Sequence, residues 1–125
     1  MELIEMDGTY SIVRYPADEE IPLWILGQKG FCSITKTEEE LSILCETKVI
    51  QGESINQESS WKCLKVKGPL DFSLTGVLSS IASPLAREGI SIFAVSTFDT
   101  DYILVKDEKF AQAKDVLRRA RFRVV

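Results

Sequence analysis

Apolar and charged residues alternate along Lys62-Cys63-Leu64-Lys65-Val66-Lys67, the period of a half-buried strand, and Gly68-Pro69 then breaks the run into a turn. From Thr75 to Glu88 the period lengthens: Val77, Leu78, Ile81, Ala82 and Leu85 fall on one stripe of an amphipathic helix, with Gly89 where a C-terminal cap belongs. Pro84 lies inside this helix, removes one backbone hydrogen bond and predicts a kink or a frayed last turn. Ile90-Ser91-Ile92-Phe93-Ala94-Val95 is β-rich and nearly continuous in apolar character, which predicts a buried central strand, and a polar turn from Ser96 to Asp101 follows it. Tyr102-Ile103-Leu104-Val105 reads as the hairpin partner. Asp107 then stands as an N-cap before a helix whose apolar stripe is Phe110, Ala113, Val116, Leu117 and Ala120, and Phe122 to Val125 supplies a last short strand. The order from Trp61 onward is βαββαβ, an α+β, ferredoxin-like unit in which an antiparallel sheet carries both helices on one face.

The first half reads as a shortened copy of the second. Gly30-Phe31-Cys32-Ser33-Ile34 corresponds to Gly89-Ile90-Ser91-Ile92-Phe93, and Leu41-Ser42-Ile43-Leu44-Cys45 to Tyr102-Ile103-Leu104-Val105-Lys106. Upstream, Tyr10 to Arg14 followed by Pro16 parallels Cys63 to Lys67 followed by Pro69, with a shorter span to the glycine, so the helix around Ile21 to Leu26 should be brief. The polar, turn-rich stretch from Gln51 to Ser60 is read as the connector, in which the second helix of the first copy has been lost. The expected division is a degenerate module over 1–58 and a complete module over 59–125. Halves this small bury too little apolar surface to stand alone, so a shared core or sheet is expected.

Composition narrows the function. With 45% hydrophobic and 27% charged residues the 125-residue chain has the balance of a globular protein. Histidine is absent, which removes the commonest general base and metal ligand together. Fifteen basic against nineteen acidic residues give a net charge of -4, which argues against tracking a phosphate backbone. Basic residues Arg118, Arg119, Arg121 and Arg123 are read as a solvated helix end that complements the dipole. Glu38-Glu39-Glu40 is read as a solvated hairpin tip, and Trp24 and Trp61 as core or module-interface anchors. Cys32, Cys45 and Cys63 form no CxxC pair and are read as buried thiols rather than a disulfide framework or a zinc site. The N-terminus lacks the marks of a secretory signal and no apolar run approaches a membrane span, so the expected compartment is the cytoplasm, with no cofactor, nucleic acid or membrane as partner.

Two polar turns remain as candidate chemistry: Gly68 to Gly76, before the long helix, and Ser96 to Asp101, between the paired strands. A helix N-terminus exposes unpaired N–H groups and a partial positive charge that suit a carboxylate. Asp71, Asp99 and Asp101 are the nearest anions for the other end of a zwitterion. The same residues also fit a plain helix cap and solvated turns.

The runs Gly68-Pro69-Leu70-Asp71-Phe72-Ser73-Leu74-Thr75-Gly76, Leu85 to Phe93 and Ser96-Thr97-Phe98-Asp99-Thr100-Asp101-Tyr102 resemble the C-terminal module of the small tandem ACT-domain proteins, a group similar to the regulatory tail of aspartate kinases and to the animal arginine sensor. Phe31 to Thr37 with Glu40 to Ile43 resembles the family's N-terminal module. The resemblance implies an amino-acid effector held at the junction of modules, with Asp71, Phe72, Thr75 and Gly76 on one side and Thr97, Phe98 and Asp101 on the other. It also implies a homodimer joined by side-by-side sheets. The expected function is therefore a non-catalytic regulatory sensor, and the alternative is a docking or dimerisation module that holds no ligand.

Overall fold

The computed structural model describes residues 1–52, 56–71 and 73–125. Its elements in chain order are β1 (Glu2–Glu5), β2 (Tyr10–Pro16), β3 (Cys32–Lys36), β4 (Glu40–Glu46), β5 (Gln57–Val66), α1 (Val77–Arg87), β6 (Phe93–Ser96), β7 (Asp101–Lys106), α2 (Asp107–Arg119) and β8 (Arg123–Val124), with single 3-10 turns at Leu23–Ile25 and Thr47–Val49. The chain divides into two compact units, Gly8–Ser60 and a larger one made of Met1–Asp7 with Trp61–Val125. The expected division at 58/59 thus moves into β5, at Ser60 with its left-handed backbone (φ 67°), and the first seven residues go with the C-terminal half.

In the larger unit the alternation of β5 continues across the sheet. Leu64 and Val66 share a face with Ile103 and Val105 of β7, and the stripes of α1 (Ile81, Leu85) and α2 (Phe110, Ala113, Val116, Leu117) close over them in one core. Both helices therefore cover the same face, giving the expected α+β arrangement. The strand order is β6–β7–β5–β1–β8, with β5 and β7 antiparallel and central. β1 enters this sheet between β5 and β8, antiparallel to the first and parallel to the second, which makes the sheet mixed rather than wholly antiparallel. Four residues with one fully buried side chain, Leu3 opposite Val66, are too short a run to show a period, and the sequence pattern did not reveal them.

Continuous apolar character misplaced β6. It spans four residues, begins at Phe93 rather than Ile90, and among the described residues pairs only with β7, so it is an edge strand and not a central one. The apolar residues before it serve the helix end instead: Gly89, at φ 70°, donates its N–H to Ala86, Ile90 donates to Leu85, and Ile90 drops into the core. α1 continues through Pro84, which is buried, to Arg87. α2 begins one residue earlier than expected: Lys106 takes the N-cap position without a side-chain bond, and Asp107 joins Glu108 in the first turn, where negative charge favours the dipole. Ala120, the last residue of the expected stripe, is exposed just past the helix end.

The smaller unit has strand order β3–β4–β2, all antiparallel, around a core of Ile25, Leu41, Ile43 and Cys45. The brief helix expected around Ile21 to Leu26 is a single 3-10 turn at Leu23–Ile25, and a second such turn stands at Thr47–Val49, ahead of the stretch in which the second helix was expected to be lost. Buried Ser11 is satisfied by hydroxyl contacts with Thr47 (2.7 Å) and Ser59 (2.9 Å). The expected connector is shorter than the sequence implied, because Gln57–Ser60 already belong to β5 and Asn56 accepts a hydrogen bond from the Arg14 N–H (2.9 Å). Residues 53–55 of the connector lie outside the described residues.

Candidate functional site

The two polar turns singled out by sequence are laced together in the larger unit. The Leu70 N–H donates to the Asp99 carbonyl (2.7 Å), and the buried Thr100 hydroxyl donates to the carbonyl of Val66 at the end of β5 (2.6 Å). Gly68 fits closely where the turns meet: a Cβ there would come within 3.1 Å of both the Asp99 carbonyl and Thr100, so the neighbours would have to give by a few tenths of an ångström. The second turn is closed on itself, with Thr97 N–H donating to the Thr100 carbonyl (2.8 Å) and Thr100 N–H to the Thr97 hydroxyl (3.3 Å).

Between the turns lies an open cleft of about 220 Å³. Leu70, Leu74, Val77 and Phe98 supply its apolar residues, and three acidic residues, Asp71, Asp99 and Asp101, line it together with Ser96, Thr97 and Thr100. Among the described residues that line it there is no lysine or arginine. Phe98 is 79% exposed, an unusual position for a phenylalanine and one that offers a flat apolar surface to whatever enters.

The carboxylates are held differently. Asp71 accepts from both the N–H (2.8 Å) and the hydroxyl (2.7 Å) of Ser73 at one oxygen, Oδ1. The backbone bond first, and the hydroxyl bond second, hold its carboxyl below the ordinary aspartate value, so it stays ionised in mild acid. Asp101 Oδ1 accepts from the Ser96 hydroxyl (2.6 Å), which fixes it at the mouth of the β6–β7 hairpin.

Of the residues expected from sequence, Asp71, Thr97, Phe98 and Asp101 line this one cleft, and Asp99 joins them. Thr75 and Gly76 are exposed and stand beside it rather than in its wall; Gly76 is the N-cap of α1, at φ 73°, with no side-chain cap bond, and Val77 after it does line the cleft. Phe72 lies outside the described residues. Ser96, Thr100, Leu70 and Leu74 were not among the expected site residues. Their signal was present only as membership of the two turns, since nothing in the spacing says which turn residues face inward.

The arrangement is suited to a small molecule with a cationic group and some apolar surface. The first N–H groups of α1, which have no intrahelical acceptor, begin at the cleft wall and can receive an anion. No group of three or more Cys, Asp or Glu side chains placed to hold a metal occurs among the described residues. Among the described residues no helix is long and apolar enough to cross a membrane.

The ACT domain family model matches residues 56–119, and a separate model of an N-terminal domain matches residues 8–53. The crystal structure of a protein from Agrobacterium tumefaciens is similar over 99% of this chain and 91% of its own, at 40% identity and a TM-score of 0.91. The aspartate kinase of Clostridium acetobutylicum shares the fold over 91% of this chain and 33% of its own, at 13% identity and a TM-score of 0.64. The cytosolic arginine sensor for mTORC1 subunit 1 of Rattus norvegicus is 35% identical over 60 residues, 47% of this chain. Those residues span 18% of the length of that curated relative.

Proposed function

The chain belongs to the ACT domain family, and from that premise we propose that it is a non-catalytic regulatory sensor, acting in the cytoplasm as a homodimer, that binds a free amino acid in the cleft between the 68–76 and 96–101 turns. The observation that carries this reading is the joining of three carboxylates and a helix N-terminus around one small cleft. A zwitterion needs both signs of charge within a few ångströms, and few other small metabolites do. The ligand's ammonium is directed to Asp101 or Asp71, and its carboxylate to the first N–H groups of α1 beside Thr75 and Gly76. Leu70, Leu74 and Phe98 are left for its side chain. The likeness to an arginine sensor supports the class of ligand.

A thermal-shift screen against the twenty amino acids tests it, because a ligand that binds only the folded state raises apparent stability. Calorimetry on Asp101→Asn and Asp71→Asn then follows for the amino acid so found. Asp101→Asn keeps the shape and removes the charge; the loss of one charge-assisted hydrogen bond, about 1.5 to 3 kcal/mol, weakens binding roughly ten- to a hundredfold. If no amino acid stabilises the parent, or both variants bind as tightly as it does, the proposal is wrong.

A further inference from the structure

We propose that Cys32 and Cys45 form a peroxide-responsive pair that closes into a reversible cross-strand disulfide between β3 and β4. The two residues are direct register partners in this hairpin. Their pairing type follows from the hydrogen bonds at either end. Thr37 donates its N–H to the Glu40 carbonyl (2.9 Å), so 37 and 40 are a hydrogen-bonded pair. Strict alternation along the register then makes 36/41, 34/43 and 32/45 the non-hydrogen-bonded pairs. The other side of β4 agrees: Thr47 donates to the Thr9 carbonyl (2.9 Å), which makes Ser11 and Cys45 a hydrogen-bonded pair and turns the backbone groups of Cys45 toward β2. Non-hydrogen-bonded partners have Cα atoms about 4.5 Å apart with their side chains drawn together, inside the roughly 4.4 to 6.8 Å that a disulfide spans.

The two thiols differ in a useful way. Cys45 is buried in the core of the smaller unit, with Ile25, Leu41 and Ile43, while Cys32 packs against that core but is only half-buried. Burial, and then the neighbouring Cys32, push the Cys45 thiol up to about 11, so it is a poor first nucleophile. Cys63, fully buried in the other unit and pushed up by burial to about 12, has no part in the pair. Cys32 is therefore the sulfur that meets a solute oxidant, and Cys45 is the one that resolves it.

With hydrogen peroxide as oxidant the steps balance. The Cys32 thiolate attacks one peroxide oxygen, the O–O bond breaks, and hydroxide leaves and takes up a proton as water, which leaves Cys32 as a sulfenic acid. Cys45 loses its proton, its sulfur attacks the Cys32 sulfur, and the S–O bond breaks with the oxygen leaving as a second water. Two thiols are oxidised to one disulfide and one peroxide is reduced to two waters. A dithiol reductant reverses the bridge by thiol–disulfide exchange.

The test starts from the intact parent chain. It is treated with hydrogen peroxide, its remaining thiols are blocked with N-ethylmaleimide under denaturing conditions, and it is cut with trypsin without reduction; cleavage after Lys29, Lys36 and Lys48 places the two cysteines in separate peptides. The expected result is a 30–36 peptide joined to a 37–48 peptide, with Cys63 blocked as a free thiol and the joined species lost on adding dithiothreitol. Cys63→Ser should give the same link, and Cys45→Ser should leave Cys32 as a sulfenic acid that dimedone traps. Blocking of both Cys32 and Cys45 after peroxide, over-oxidation of Cys32 in the parent, or a link through Cys63 would overturn the proposal.

Discussion

At the residue scale the site is set by what each carboxylate is bonded to rather than by its place in the sequence. Asp71 is fully exposed, and without its partners it would titrate as any surface aspartate; the two bonds from Ser73 favour its charged form. A carboxyl depressed in the folded state contributes stability that is present above its ordinary value and is lost as the pH falls through its folded value. Ser73→Ala removes only the hydroxyl bond and leaves the larger backbone contribution. In a carboxyl NMR titration the parent's Asp71 midpoint should lie below the ordinary aspartate value, and the Ser73→Ala midpoint should move up toward it without reaching it. An unchanged midpoint would mean that the hydroxyl bond does not form in solution. The types of residue at this site were legible in the sequence, since the helix N-terminus and acidic turns were visible there. The bonds that aim them were not: Ser96 to Asp101 and Thr100 to Val66 join residues whose proximity depends on the hairpin and on the return of the chain past β5.

At the element scale, periodicity worked best where one core receives a regular set of positions. The stripes of α1 and α2, with Leu64 and Val66 of β5 and Ile103 and Val105 of β7, meet in that core, while Cys63 and Leu104, paired and fully buried, lie on the opposite face of the two strands. β6 looked central because Ile90 and Ile92 precede it, yet Ile90 is the residue that seals the end of α1 and only the four residues after Ile92 form the strand. β1 was silent because four residues hold too little pattern to register. The cap itself was legible, and it can be measured. Gly89 sits at φ 70° with open space around its α-carbon, so a methyl group there touches nothing and the cost of Gly89→Ala is the left-handed backbone alone. That cost is about 1 to 2 kcal/mol. Urea unfolding should show the variant destabilised by this amount with an unchanged slope, and a variant as stable as the parent would mean that the helix does not end in this motif.

At the scale of the whole molecule, β6 presents the edge of the larger unit's sheet. Phe93-Ala94-Val95-Ser96 carries none of the devices that protect an edge strand: it has no charge, no proline and no bulge within its four residues paired to β7. The pairing type along it follows from Thr97, which donates to the Thr100 carbonyl; alternation makes 95/102 and 93/104 the hydrogen-bonded pairs and turns the N–H and C=O of Ala94 away from β7. A second copy placed edge to edge satisfies these groups by the same two-fold arrangement on both sides. Ala94→Pro is the matching probe, because it deletes an outward N–H and leaves every bond to β7 in place. Light scattering of the parent should give twice the monomer mass. Ala94→Pro removes the same donor from both copies at about 1 kcal/mol each, so its dimer should dissociate at a concentration on the order of thirtyfold higher. Thermal unfolding of the variant at high dilution, where both proteins are monomeric, separates a lost interface from a damaged fold. A parent that stays monomeric at every concentration would rule out the homodimer, and a variant that dimerises as tightly as the parent would place the contact on a surface other than β6.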